Sequence, residues 1–264
     1  MEKLKEAVVS IVRQASQLMM KQDFKINEKD GAANIVTSSD LAVQHFLCEK
    51  LKALLPESEF FCEEEDLQHE GEYVWIIDPI DGTANYARGF GESAISVALS
   101  HKGEVVFGVV YNPYKEHMFT AECGKGAYLN EIPLRVSERT FGQSLFCTAA
   151  SLYCKDYAET CFRIMEETYK ICNDFRRFGT AALELCYLAA GLCDLYFEIR
   201  LFPWDYAAAQ LIVREAGGVV RDFDGDLPSL CRPSPVIGAN NRENFEMLNE
   251  IVHRHMDGVP YGER

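Results

Sequence analysis

In Trp75-Ile76-Ile77-Asp78-Pro79-Ile80-Asp81-Gly82-Thr83, two carboxylates stand three residues apart where an apolar run meets a proline and a glycine. Val74 to Ile77 reads as a buried strand, and Pro79 and Gly82 predict that it stops there and turns. Two anionic groups on one tight turn repel each other. A hard divalent cation such as Mg²⁺, which takes carboxylate and carbonyl oxygens, is the simplest partner that offsets the repulsion. Gly82 and Thr83 follow with backbone N–H groups that an anion can approach closely. Metal and anion together suggest phosphate chemistry. An Asp-rich turn whose carboxylates cap backbone N–H groups would look the same at this level.

Two further acidic positions bear on that choice. Phe60-Phe61-Cys62-Glu63-Glu64-Glu65-Asp66 sets four acids directly after a short apolar run, and Pro203-Trp204-Asp205-Tyr206-Ala207-Ala208-Ala209 sets Asp205 near the start of a helix that Gly217-Gly218 stops. A solvated acidic loop and an ordinary N-terminal helix acid are the plain alternatives. The joint occurrence of these acids with Asp78 and Asp81 favours one shared site.

These motifs resemble the inositol monophosphatase family of Mg²⁺-dependent, lithium-sensitive phosphatases. The family pattern W-x-x-D-P-[IL]-D-G-T is intact at Trp75–Thr83 and W-D-x-A-A at Trp204–Ala208, while G-E-E-S is altered to Cys62-Glu63-Glu64-Glu65. Asn34 to Asp40 is similar to the family's D-x-V-T-x-x-D segment, and Arg176 to Ala182 to its R-x-x-G-[ST]-A-A turn. The resemblance implies a layered αβαβα sandwich of the inositol monophosphatase and fructose-1,6-bisphosphatase type, a mixture of α+β and α/β. It implies two or three Mg²⁺ ions, with Glu63, Asp78 and the carbonyl of Ile80 at the first, and Asp78, Asp81 and Asp205 at the second. Glu63 and Thr83 would orient the attacking water, with Asp78 bridging the metals, and the N–H groups of Gly82 and Thr83 would hold the phosphate. Gly179, Thr180, Ala181, Glu198, Asp81 and Asp205 would face the substrate's hydroxyls, Glu198 being the family acid that takes those of inositol. The implied reaction is hydrolysis of inositol monophosphate; a homodimer is expected, and the reduced cysteines predict a cytoplasmic location. Fructose 1,6-bisphosphate, histidinol phosphate and 3′-phosphoadenosine 5′-phosphate are the alternative substrates, and a non-catalytic regulatory protein on the same fold is the alternative of a different class. Cys62 and Glu65 depart from the family pattern, and Arg200 and Phe202 flank Glu198 with charge and bulk.

Composition narrows the partners. The 264 residues carry a net charge of −15, which leaves no basic face for nucleic acid, and any anionic substrate needs a local cation to invert the field. No apolar run approaches the ~18 residues of a membrane span, and the charged opening from Met1 to Glu6 predicts no leader peptide. The ten cysteines show no C-x-x-C pair; Cys186 and Cys193 sit among apolar neighbours, as reduced core residues do. His253 and His255 read as surface residues, and Asp224-Gly225-Asp226 as a turn.

The elements that must hold these groups follow from periodicity. Leu4, Val8, Ile11, Val12, Ala15, Leu18 and Met19 mark an opening amphipathic helix, and Thr37-Ser38-Ser39-Asp40 caps a second through about Leu54. Short strands fill Ala94 to Val136. Helices are expected near Asp156 to Lys170, Ala181 to Ala190, Trp204 to Ala216 and Arg242 to His255, with short strands near Leu195 to Phe197 and Gly218 to Arg221. A first half over residues 1–135 carrying the metal loops, and a second over 136–264 completing the site, is the expected division.

Overall fold

The computed structural model describes residues 2–21, 26–28, 35–64, 71–151, 155–256 and 258–259. The elements in order are α1 (Glu2–Met19), β1 (Ile26–Glu28), β2 (Ile35–Thr37), α2 (Ser38–Leu54), β3 (Glu59–Cys62), β4 (Tyr73–Asp81), α3 (Thr83–Arg88), β5 (Ala94–His101), β6 (Glu104–Asn112), β7 (His117–Glu122), β8 (Ala127–Leu129), β9 (Ile132–Pro133), β10 (Leu145–Thr148), α4 (Ala158–Tyr169), β11 (Asp174–Arg176), α5 (Ala181–Ala189), β12 (Leu195–Leu201), α6 (Pro203–Glu215), β13 (Val219–Arg221), β14 (Ser234–Ala239) and α7 (Arg242–Met256). One sheet runs β3-β4-β5-β6-β7-β8-β9, the other β11-β10-β12-β14-β13, and β1-β2 form a separate ribbon. The large sheet is antiparallel except at β3–β4, whereas β10 pairs in parallel with both β11 and β12.

Strand alternation divides the interior into three cores. Trp75 and Ile77 of β4 join Ile95, Val97 and Leu99 of β5 against α1 and α2, while Val74, Ile76, Ala94 and Ala98 face the other way, toward α5 and α6. On β12, Tyr196 points to the α5–α6 layer and Leu195, Phe197 and Ile199 point to α4 and α7. The layers are therefore α1–α2, large sheet, α5–α6, small sheet and α4–α7, the αβαβα sandwich that the resemblance implies. Each fully buried large side chain, such as Trp75, contributes roughly 1.5–3 kcal/mol. α5 and α6 are buried along nearly their whole length because both their flanks are covered. At the centre, β6 and α6 approach so closely that a Cβ on Gly108 would meet the Ala208 carbonyl oxygen at 2.8 Å.

Several elements differ from the sequence reading. β4 does not stop at Pro79 but runs on to Asp81, because a register shift between Asp78 and Asp81 absorbs the proline's missing donor. β12 continues to Leu201, beyond Phe197. β1, β2, β10, β11, β14 and α3 were not anticipated; the first four are strands of three or four residues, and Pro235 interrupts the pattern of β14. Asn34, Glu65 and Asp66 lie outside the described residues. Among the described residues no helix is long and apolar enough to cross a membrane.

Candidate active site

The register shift in β4 is what builds the site. With a side-chain period of two, residues three apart on a strand face opposite sides. Between Asp78, opposite Ser96, and Asp81, opposite Ala94, β4 uses three steps where β5 uses two. The extra residue returns Asp81 to the face of Asp78, toward α5 and α6, and leaves Ile80 in the core with Ile77. Asp78 locks the bulge with its own side chain, Oδ1 accepting from the Ile80 N–H at 2.9 Å.

The other acids arrive from three elements. Glu63 follows β3 and extends its pairing, its N–H donating to the Ile77 carbonyl at 3.3 Å. Asp205 lies in the first turn of α6 behind Pro203, and its Oδ2 accepts from the Phe202 N–H at 2.7 Å. Glu198 is on β12, buried rather than at a strand-end surface, and accepts from the Tyr196 hydroxyl at 3.1 Å. Oxygens of Asp78, Asp81 and Asp205 all lie within 4.8 Å of one another. One cleft is lined by Glu63, Asp78, Ile80, Asp81, Gly82, Thr83, Gly179, Thr180, Ala181, Glu198 and Asp205, so the structure brings together every residue that the sequence singled out for the site.

The electrostatics of this cluster are unfavourable as the chain stands alone. Burial pushes Asp78 well up, and Glu63, Asp81 and Asp205 push it further. Burial likewise raises Asp205, with Asp81 and Glu63 adding to the effect. Asp81 rises to about 6 through burial, held back by the Thr180 hydroxyl and the Ala182 N–H, which both donate to its Oδ2. Glu198 rises to about 7 by burial, opposed by Tyr196 and by the Arg177 cation. Among the described residues lining the cleft, Arg177 is the one cationic side chain. The donor set is all oxygen, closely spaced and short of positive charge, which fits a hard divalent cation.

Backbone geometry completes the pocket. Gly82 adopts φ +82°, and a Cβ there would press on the carbonyl oxygens of Glu92 and Gly179 at 3.0 and 3.2 Å, so α3 begins at a position only glycine fills comfortably. The Thr83 hydroxyl lies 3.0 Å from the Ile80 carbonyl oxygen and 3.4 Å from Oδ1 of Asp40, within donating distance of both. Asp40 also closes the capping box of α2 with Thr37.

Sequence reasoning passed over Glu184 and Asn85. Glu184 accepts from the N–H groups of Phe178 and Gly179 at 2.5 and 2.9 Å and so fixes the Gly179–Ala181 turn; burial, with Glu198 nearby, lifts it to about 8. Its signal was a lone acid in an otherwise apolar helix. Asn85 donates to the carbonyls of Glu92 and Phe178 at 2.8 and 2.7 Å. Arg200 and Phe202, expected to crowd Glu198, line none of the cleft: Arg200 lies over the Phe202 ring, which stacks on Trp204 at 4.8 Å. His253 meets the Phe223 carbonyl and His255 meets Glu167, and neither lines the cleft.

Comparison with known proteins places the chain in a family. The chain is 38% identical over 224 residues to the Nus factor SuhB of Escherichia coli, covering 82% of this chain and 84% of that protein. The structure matches the extragenic suppressor protein suhB of Bartonella henselae with a TM-score of 0.88 at 30% identity, over 95% of this chain and 98% of that one. It matches the Thermotoga maritima IMPase with a TM-score of 0.85 at 31% identity, over 97% of this chain and 100% of that one. The model of the inositol monophosphatase family matches residues 1–257, and the chain belongs to that family.

Proposed function

We propose that the protein is a Mg²⁺-dependent phosphatase of small hydroxylated phosphomonoesters, inositol monophosphate first. The observation that carries this reading is that one cleft is lined by the clustered Asp78, Asp81 and Asp205, by Glu63, by the buried Glu198 and by the Gly179–Ala181 turn. Glu63, Asp78, Asp81, Asp205 and the Ile80 carbonyl would hold the ions, two or three in number. Bound Mg²⁺ supplies positive charge to the phosphate and to the departing alkoxide, and lowers the pKa of water. Glu63, half-buried at the cleft, accepts the proton of the attacking water. Thr83, tethered to Ile80, orients that water, and the N–H groups of Gly82 and Thr83 hold phosphate oxygens. Glu198 accepts hydrogen bonds from substrate hydroxyls, and Glu184 keeps the Gly179–Ala181 turn in place.

The same reading includes a cytoplasmic homodimer. Buried, reduced cysteines suit a reducing compartment. Phe162 and Tyr169 of α4, Ile171 in the loop after it and Phe175 of the edge strand β11 lie exposed, Tyr169 and Phe175 touching edge to face, and a second copy would cover them.

Phosphate release with Mg²⁺ from inositol 1-phosphate, fructose 1,6-bisphosphate, histidinol phosphate and 3′-phosphoadenosine 5′-phosphate tests the activity. Inositol 1-phosphate is expected to be the best substrate, with Asp78→Asn roughly 10³-fold slower. A variant retaining more than a tenth of wild-type turnover refutes the metal assignment. A second reading, a regulatory protein on the same fold, is favoured by the name Nus factor among relatives. It predicts no turnover of any of the four substrates.

A further inference from the structure

One face of α2 governs the segment that carries Glu63. Asp40, Gln44 and Cys48 recur every fourth residue and so share that face. Asp40 acts on Glu63 through its charge, and Gln44 Oε1 accepts from the Glu64 N–H at 3.1 Å. Cys48 Sγ lies 3.8 Å from Cys62 Sγ, and Cys62 is the residue directly before Glu63. Cys48 is partly exposed and Cys62 is buried.

We propose that Cys48 and Cys62 are an oxidant-sensitive pair whose disulfide releases Glu63 from the metal site. A disulfide is about 2.05 Å long, so the sulfurs must close by about 1.7 Å. Metal ligands are held to within about 0.2 Å, so even the small part of that closure that reaches the Cys62 backbone disturbs the ligation of Glu63 beside it. The oxidant is a small-molecule disulfide such as oxidised glutathione. The Cys48 thiolate attacks one of its sulfurs, forming a mixed disulfide and releasing one glutathione thiolate. The Cys62 thiolate then attacks the Cys48 sulfur, forming the internal bond and releasing the second. The protons of both cysteine thiols end on the two released glutathiones. Glu63 as a cation ligand belongs to the reading above; the thiol pairing stands apart from it.

The full-length protein is incubated with oxidised glutathione, mapped by peptide mass spectrometry, and melted with and without Mg²⁺. A Cys48–Cys62 crosslink is expected, together with loss of more than half of the Mg²⁺-induced rise in Tm. Both effects should reverse with dithiothreitol and be absent in Cys48→Ser, which keeps the Mg²⁺ response of the reduced wild type. Glutathionylation of the exposed Cys123 and Cys231 shows that the oxidant has acted. No crosslink under those conditions overturns the proposal, as does a crosslink that leaves the Mg²⁺ response unchanged. A reduced wild type that Mg²⁺ does not stabilise refutes the metal site itself, and the regulatory half of the proposal with it.

Discussion

Asp81→Asn should stabilise the metal-free protein while destroying its response to metal. Both hydrogen bonds to Asp81 arrive at a single oxygen, from the Thr180 hydroxyl and the Ala182 N–H, and an asparagine carbonyl keeps both, each weaker than to a carboxylate. What the substitution removes is charge. Burial lifts Asp81 from its ordinary 3.8 to about 6, so the folded state holds a proton that the unfolded chain has already lost. Stability contributed by this group is complete below pH 4 and falls as pH rises toward the folded value, because the folded state then binds more protons than the unfolded one. At about 1.36 kcal/mol per pH unit, the full interval is worth about 3 kcal/mol above pH 7. Relief of Asp78 and Asp205, which feel the same charge, acts in the same direction. Thermal melts in a chelator should therefore show the variant ahead by roughly 6–10 °C at pH 8, with the gap shrinking toward pH 5. Adding Mg²⁺ at ~100 times its Kd should stabilise the wild type by about 2.7 kcal/mol and the variant far less, narrowing or reversing the order. A variant no more stable than wild type at pH 8 in chelator, or a gap independent of pH, refutes the claim that this carboxylate is held at an electrostatic cost.

Glu198→Gln keeps the shape of a buried acceptor and removes its charge, so kcat/KM for inositol 1-phosphate should fall roughly 10- to 150-fold. Hydrolysis of para-nitrophenyl phosphate, which has no hydroxyls to hold, should change little; equal losses on both would make Glu198 structural. LiCl should inhibit at concentrations where KCl of the same ionic strength does not, because screening alone treats both salts alike. Light scattering should give the mass of a dimer, and the double substitution Tyr169→Asp with Phe175→Asp a monomer; an unchanged mass would place the contact elsewhere.

The long helices were legible in the sequence because their stripes have one covered face: α1, α2 and α7 fall within two residues of their expected ends. The acids of the site were legible as motifs, yet the reason that Asp78 and Asp81 cooperate was not. A spacing of three suggested a turn, and only the pairing with β5, set by a partner strand thirteen or more residues away, reveals the bulge. β10 and β11 escaped notice because three or four residues carry too little period to register, and their pairing is parallel and non-local. Glu184 was overlooked for a related reason: its partners are backbone N–H groups in a turn whose path only the fold defines. Arg200 misled in the opposite sense, since charge beside Glu198 in sequence is turned onto an aromatic ring in space.

The bare contact between Gly108 and the Ala208 carbonyl sets a mechanical tolerance for the whole site. Asp205 rides on α6 less than one turn before Ala208, so the depth to which α6 sinks against β6 fixes how far Asp205 reaches toward Asp78 and Asp81. A single methyl at position 108 would act as a shim under the helix, displacing an acid it never touches. The alignment of the acids is thus machined by the absence of atoms on a remote strand, and selection on chemistry reaches a position that has no chemistry of its own.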